Sequence, residues 1–434
     1  MLGRKEGFVR RLHRFALIAV CLIFSSSLRA ATYEARPGDD LRTLLAKLVP
    51  GDTLLLRGGH YLLESLRLDQ QGSPDRYIVI AAAPNETPVL TATSLQHNLI
   101  SIRSAAYLSI EGLTIDGTPL NVDAIKFEHG YASHHVIIQN CEIRNYQGVA
   151  INSKGEDHHI TVRRCHIHHS SAGVGEAFYI GKQDASVTPH HWLIENNLIH
   201  DTAGQQGDGI ELKYGVHSSV VRDNVVFNTQ YPAILCYGVK GANATRELSN
   251  VIEGNVVFET KEGIGAYADA VVRNNIVFDC KFGYQARPHR KPTQNLEVYN
   301  NTFYNCEVLS FNGWREEQHC LFVNNAAYNI TRGINLRGTG IFENNIGNFA
   351  ARGFSRGEAE SDLVAPQMFN FYPTAKSALR DHAGARLVAS FDFNGAARES
   401  RADVGAYEWL GERNNGGEVT RSFKIVKRRA DEAQ

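Results

Sequence analysis

Ile194-Glu195-Asn196-Asn197-Leu198-Ile199 is followed along the chain by Val221-Arg222-Asp223-Asn224-Val225-Val226 and by Ile252-Glu253-Gly254-Asn255-Val256-Val257. Each copy sets a polar pair ending in Asn between apolar residues, and further copies end that pair at Asn275, Asn301, Asn325 and Asn345. Earlier copies carry Gly112, Cys141 and Cys165 at the key place. The spacing runs from roughly 20 to 32 residues and averages about 26, inside the range of solenoid repeats. In a solenoid, equivalent positions lie above one another and should be chemically alike. Five residues after the key place stand Tyr146, Ser170, Thr202, Thr229, Thr260, Cys280, Cys306 and Ile330. Three after it stand His200, Phe227, Phe258, Phe278, Tyr304 and Tyr328. Such columns are ladders of stacked amides and rings at the ~4.8 Å strand spacing, so the chain is read as an all-β parallel β-helix of about ten coils. Cys141/Cys165 and Cys280/Cys306 fall at equivalent places on successive coils. Stacked buried thiols are the favoured reading there, although the spacing also allows disulfides.

Composition agrees: 38 Gly and only 2 Met in 434 residues suit short strands and turns rather than long helices. A formal net charge of −1 gives no reason to expect nucleic acid or an anionic membrane as partner, so any charge recognition must be local. Residues 1–30 read as a secretory signal. Arg10, Arg11 and Arg14 precede an apolar run from Phe15 to Phe24, and Ser25 to Ala30 supply a cleavage region. The run is about half the length a membrane span needs, and Cys21 follows Val20 rather than a small residue, against lipid attachment. The mature chain is therefore expected to be exported, periplasmic or secreted, without a membrane span and as a monomer. Residues 31–410 are assigned to the β-helix and its caps, and 411–434 to a mobile charged tail.

The ends of a solenoid must be covered. Gly38 to Leu48 places leucines at helical spacing after an N-cap candidate, followed by a strand at Thr53 to Leu56, and is read as the N-terminal cap. Near the other end stands Asp403-Val404-Gly405-Ala406-Tyr407-Glu408. It resembles the Asp-Ile-Gly-Ala-Tyr-Glu signature that often finishes proteins of the pectate-lyase-like superfamily. With the capping segment, Pro50-Gly51-Asp52-Thr53 and the coils, the mature chain as a whole resembles that superfamily. The resemblance implies a right-handed helix and a polysaccharide partner, and leaves the chemistry open among lyases, hydrolases, epimerases and binding proteins.

A second strand in each coil aligns as Gly148 to Asn152, Ala177 to Gly181, Gly209 to Lys213, Ala233 to Tyr237, Gly263 to Tyr267, Gly283 to Arg287 and Gly333 to Arg337. Alternation sends the third and fifth members outward. One outward column then runs Ala150, Tyr179, Glu211, Leu235, Gly265, Gln285, Asn335. The other runs Asn152, Gly181, Lys213, Tyr237, Tyr267, Arg287, with Gly313 before Arg337. An ordinary solvated face would show unrelated residues, whereas this strip gathers cations and tyrosines beside Glu176, Asp208 and Glu211. Three neighbouring carboxylates repel unless a cation joins them, and calcium takes such oxygen ligands.

This set suits β-elimination from an anionic, uronate-containing polysaccharide, in which the sugar carboxylate is neutralised and a base removes the adjacent proton. Lys213 is the candidate base, Arg287 the charge neutraliser, and Tyr237 or Tyr267 the proton donor. Tyr179, Lys182, His289, Arg290, Trp314 and Arg337 are the candidate substrate contacts, with Glu176, Asp208 and Glu211 holding calcium. Gly207 to Lys213 resembles the acidic-plus-lysine strands of calcium-dependent lyases acting on alginate or glycosaminoglycans, but lacks a second outward Glu two residues away. A glycoside hydrolase is the second enzymatic reading, since Asp208 with Glu211 or Glu176 could flank a bond. A C5-epimerase shares the proton abstraction. A non-catalytic adhesin would use the aromatic residues as platforms, and convergence of the acids with Lys213 in one cleft separates it from an enzyme. The histidines at 158–159, 166, 168–169 and 190–191 raise a transition-metal reading, but they fall in different turns without a compact ligand spacing.

Overall fold

A computed structural model describes residues 30–425, apart from 118–120, 172, 242–244 and 415. The signal segment up to Arg29, with Cys21, and the end of the tail from 426 lie outside the described residues. Among the described residues no helix is long and apolar enough to cross a membrane.

The polar pair that marks each repeat does two jobs. Its first member turns the corner: Asn196, Asp223, Gly254, Asn274, Asn300, Asn324 and Asn344 all take positive φ, between 50° and 66°. Asn, Asp and Gly enter this left-handed region most readily, which is why they recur there. Its second member points inward and builds the ladder. From Asn197 through Asn224, Asn255, Asn275, Asn301 and Asn325 to Asn345, each Nδ2 donates to the Oδ1 of the next at 2.9 to 3.1 Å. All seven are fully buried. Beside them His200, Phe227, Phe258 and Phe278 stack ring on ring at 4.7 to 4.8 Å. Tyr304 leaves the stack and tilts against Phe371. All six described cysteines are free and buried, so the aligned pairs are stacked thiols.

Between corners the chain makes short strands that pair in parallel with the coil above and below. One face stacks 13 strands in chain order, from Thr32–Ala35 to Ile341–Glu343. The other two faces share a 22-stranded sheet, because Val256–Ala266 and Ile276–Ala286 run unbroken around a corner. The β-helix expected from the repeat is therefore present, and it is longer than about ten coils. The first coils carry no ladder Asn, which hid them from the repeat count. Apolar side chains from all three faces, such as Phe178, Ile194 and Ile199, fill one core along the axis.

The helix Leu41–Leu45, capped by the Asp40 carboxylate on the Arg42 amide, buries Leu41 and Leu45 over the N-terminal end of that core. The Asp403–Glu408 segment closes the molecule differently from a lid. It lies along the flank of the coils, where the Gly405 amide donates to the Asn324 carbonyl and the Ala406 amide to Thr302 Oγ1. Arg398, buried, pairs with Glu408 at 3.2 Å and donates to the carbonyls of Asp403, Gly405 and Ala406. The C-terminal end of the core is covered instead by Phe349 and Phe354. Within the segment read as a mobile tail, Lys424 Nζ sits 2.7 Å from Asp223 Oδ1 and its carbonyl accepts from Asn196 Nδ2.

A ladder Asn in mid-stack cannot be replaced without stranding its neighbours' amide groups. Asn275→Leu should lower unfolding stability by about 2–4 kcal/mol, read from urea denaturation, because buried polar groups on both sides lose partners.

Candidate active site

The third face carries the strands Val149–Ser153, Glu176–Ile180, Ile210–Leu212 and Ile234–Cys236, then the later parts of the two long strands. Phe178, Ile180, Ile210, Leu212, Ile234 and Cys236 point into the core, so the residues between them point out. From Tyr179 onward the first outward column is as expected: Tyr179, Glu211, Leu235, Gly265 and Gln285 stand in register. At both ends the sequence alignment slips. Asn152, not Ala150, pairs with Tyr179, so Asn152 belongs to the first column, Ala150 lies buried beside Ala177, and Lys154 continues the second column ahead of Gly181. Gly148 had served as the anchor, but it is needed to pass the Val122 backbone, 2.6 Å from where a Cβ would sit. At the far end Asn312, not Gly313, pairs with Arg337, because the strand bulges between Asn312 and Trp314.

That bulge also corrects a residue. Trp314 was expected as a sugar platform, yet it is fully buried, packed against Phe311 and Phe342. With Gly313 at φ 74°, the chain turns the indole inward.

The acids converge. Glu176 and Asp208 hold equivalent places on successive coils, Glu211 projects beside them, and one carboxylate oxygen from each lies within 4.8 Å of the others. Relative exposure is 0% for Glu176, 5% for Asp208 and 2% for Glu211. Both oxygens of Glu176, Asp208 Oδ1 and Glu211 Oε2 are buried without a hydrogen-bond partner. Burial first, then mutual repulsion, pushes the Glu176 carboxyl up to about 8 and Asp208 well above its ordinary value. Burial raises Glu211 as well, against the pull of Lys213.

Lys213 Nζ donates to Glu211 Oε1 at 2.5 Å and lies 4.3 Å from the ring centre of Tyr179 and 5.2 Å from that of Tyr237. Tyr237 meets Tyr267 edge to face at 5.4 Å and His289 at 4.4 Å. Arg287 Nε donates to the Tyr267 hydroxyl at 3.0 Å. Carboxylates, lysine, tyrosines and arginine thus form one continuous strip. Desolvation raises the hydroxyl pKa of Tyr237, and pushes that of Tyr267 to about 12, so both keep their protons at neutral pH.

Tyr179, Lys182 and Arg290 line an open cleft together with Lys154. Arg337 stands exposed two coils beyond Arg287 on the same face. Lys291, in the loop after Arg287, is buried against Asp269 at 2.6 Å.

Lys154 is the residue that the sequence reading missed. Its Nζ lies 3.1 Å from the ring centre of Tyr179, and burial, with Lys213 and Lys126 nearby, lowers its pKa to about 8. Reading Asn152 rather than Ala150 as the partner of Tyr179 would have placed it.

The trio passes a simple test as a cation site. Calcium takes six to eight oxygens at about 2.3–2.6 Å, so ligand oxygens up to ~4.8 Å apart span one ion. Three carboxylates with buried, unpaired oxygens supply part of that shell.

Residues 25–177 match the family model described as "Pel9A-like, right handed beta helix region". No curated protein matches the chain. Among solved structures the chain is similar to the family 6 alginate lyase AlyGC, with a TM-score of 0.54 and 19% identity over 88% of this chain and 59% of that one. It is also similar to pectate lyase Pel9A, with a TM-score of 0.52 and 14% identity over 87% of this chain and 96% of that one. A mannuronic acid specific family 6 lyase from human gut microbiota gives 0.53 and 17% over 75% and 90%. The chain spans 59% of the length of AlyGC. The likeness establishes the fold expected from the sequence, the pectate-lyase-like right-handed parallel β-helix.

The raised carboxyls make a signed prediction. Between about pH 4.5 and 8 the folded trio keeps protons that the unfolded chain has released, so it lowers stability as pH rises. A bound cation reverses this. Calcium should therefore raise the melting temperature more at pH 8 than at pH 5, and Glu176→Gln should remove most of that difference.

Proposed function

We propose that the protein is an exported lyase that cleaves an anionic, uronate-containing polysaccharide by β-elimination. The observation that carries this reading is the buried carboxylate trio, its oxygens unpaired, in contact with a lysine inside an outward-facing strip of a lyase-type fold. Uncoupled binding would need no such arrangement, because a platform for sugars gains nothing from three repelling acids under its floor. A hydrolase would need two carboxyl groups facing the bond, whereas Glu176, Asp208 and Glu211 expose 0%, 5% and 2% of their surface, leaving neither Asp208–Glu211 nor Asp208–Glu176 as an open pair.

Glu176, Asp208 and Glu211 would hold calcium, which when bound neutralises the sugar carboxylate and so acidifies the adjacent C5–H bond. Arg287, exposed at the end of the strip, pairs with an anionic group of the polymer. Lys213 takes the C5 proton as the C4–C5 double bond forms and the C4–O bond breaks. Tyr237, whose hydroxyl stays protonated, supplies the leaving oxygen with its proton. Lys182, Arg290 and Lys154 line the neighbouring cleft and would seat further acidic residues of the chain. His289 packs on Tyr237 and fixes its ring.

Incubation with alginate, pectate and glycosaminoglycans, with calcium or with chelator, tests the proposal through the ultraviolet absorbance of unsaturated products. Such products are expected with calcium and are strongly reduced by chelator; their absence throughout refutes the lyase. Lys213→Ala should lower turnover by about 10²–10⁴-fold, the usual effect of removing a general base. Lys154→Ala should mainly raise KM. The reverse outcome would assign the base to Lys154, whose lowered pKa suits that role.

A further inference from the structure

On the second face, three successive coils replace the apolar exterior with histidine and carboxylate. The strands Glu142–Arg144, His166–His168 and Leu198–Thr202 stack there in register, with His168 over His200. The corner residues His169 and Asp201 follow in left-handed conformation. Two groups result, Glu142 with His166 and His168, and His169 with His200 and Asp201, and the candidate ligand atoms within each lie within 4.8 Å of one another.

The protons can be assigned from the contacts. A neutral imidazole carries one N–H. His200 Nδ1 lies 2.8 Å from Asp201 Oδ2, so it donates there and its Nε2 is left as a lone pair. That lone pair faces His166 Nε2 at 2.8 Å. His168 repeats the pattern: Nε2 lies 3.2 Å from Glu142 Oε1, which leaves Nδ1 bare and facing His169 Nδ1 at 2.5 Å. A carboxylate that holds one ring nitrogen and thereby aims the other is the usual support for a metal-bound histidine. Two nitrogens bound to one ion at ~2.0–2.1 Å stand about 3 Å apart, close to the His166–His200 spacing.

Simple stacking is the competing explanation, since His168 and His200 continue the ring ladder into Phe227 at 5.3 and 4.8 Å. Stacking alone does not require nitrogen, because Phe fills the same column from Phe227 onward. Histidine occupies it where Glu142, Asp201, His166 and His169 gather.

We propose that His166 and His200, with Asp201 orienting His200 and the Glu142–His168 pair alongside, form a site for a divalent transition-metal ion of the zinc class. It is separate in residues and in ligand chemistry from the oxygen-only carboxylate trio, and it would tie three coils together on the flank where Phe423 of the C-terminal segment meets His166.

Thermal melting and titration calorimetry on the full chain, with zinc as the probe, test the site. Zinc is expected to raise the melting temperature in the presence of saturating calcium. His200→Phe keeps the ring stack, as Phe227 does one coil on, and should abolish the zinc-dependent rise while leaving the zinc-free melt intact. Asp201→Asn should weaken zinc binding by about 10–100-fold, as loss of an orienting carboxylate does. His191→Phe, at the separate histidine column of His159, His190 and His191, should leave the rise in place. No zinc-dependent rise in the unmodified protein, or a rise that survives His200→Phe, overturns the proposal. So does a rise that disappears only in His191→Phe.

Discussion

A buried side-chain amide has two donors and an acceptor to satisfy, and in water-free surroundings each unmet group costs about 1–3 kcal/mol. In this molecule one Asn in each of seven successive coils, from Asn197 to Asn345, meets that demand from its equivalents above and below. Its Oδ1 accepts both the backbone amide and the side-chain amide of the preceding ladder Asn, and its Nδ2 also reaches a carbonyl of the coil beneath. These bonds close only when the coils are in one register. A slip of one residue would break the whole series and turn every strand inside out. The ladder therefore fixes more than stability: it decides which residues of the next two faces point into the core and which form columns on the surface.

The catalytic strip proposed for the third face is a consequence of that register. Glu176, Asp208 and Glu211 are brought within one ion's span because three positions on two adjacent coils must lie close together at the strand spacing. Lys213, Tyr237, Tyr267 and Arg287 fall into line for the same reason, one per coil. Nothing local in the loops could hold three repelling carboxyls so deeply. The rigid stack absorbs the electrostatic penalty, and the raised carboxyls show that it remains to be relieved by protons or by a cation.

How far the sequence could be read follows the same physics. Where a column repeats one side-chain chemistry, as at Asn197 to Asn345 or Phe227 to Phe278, identity alone exposes the stacking, and the fold was readable. The trio and the strip from Tyr179 to Arg287 could be placed because that ladder keeps the register of the adjoining strands. At Asn152 the loop length between coils changes, and Gly148 offers a false match because it is demanded by a close backbone approach. Lys154 was lost in consequence. Trp314 could not be placed either, because a one-residue bulge reverses the face without leaving a pattern in composition.

Histidine shows the limit most clearly. Spacings of 2, 1 and 31 residues separate His166, His168, His169 and His200, and a linear reading finds no compact ligand set among them. On a β-helix, one whole coil is a single step of ~4.8 Å along the axis, so a separation of about 30 residues can be as short as one of two. Metal and catalytic spacings in such a chain must therefore be counted modulo the coil. By that measure Glu142 lies beside His166 and His168, and His166 beside His200, just as Glu176 and Asp208 are neighbours despite lying 32 residues apart.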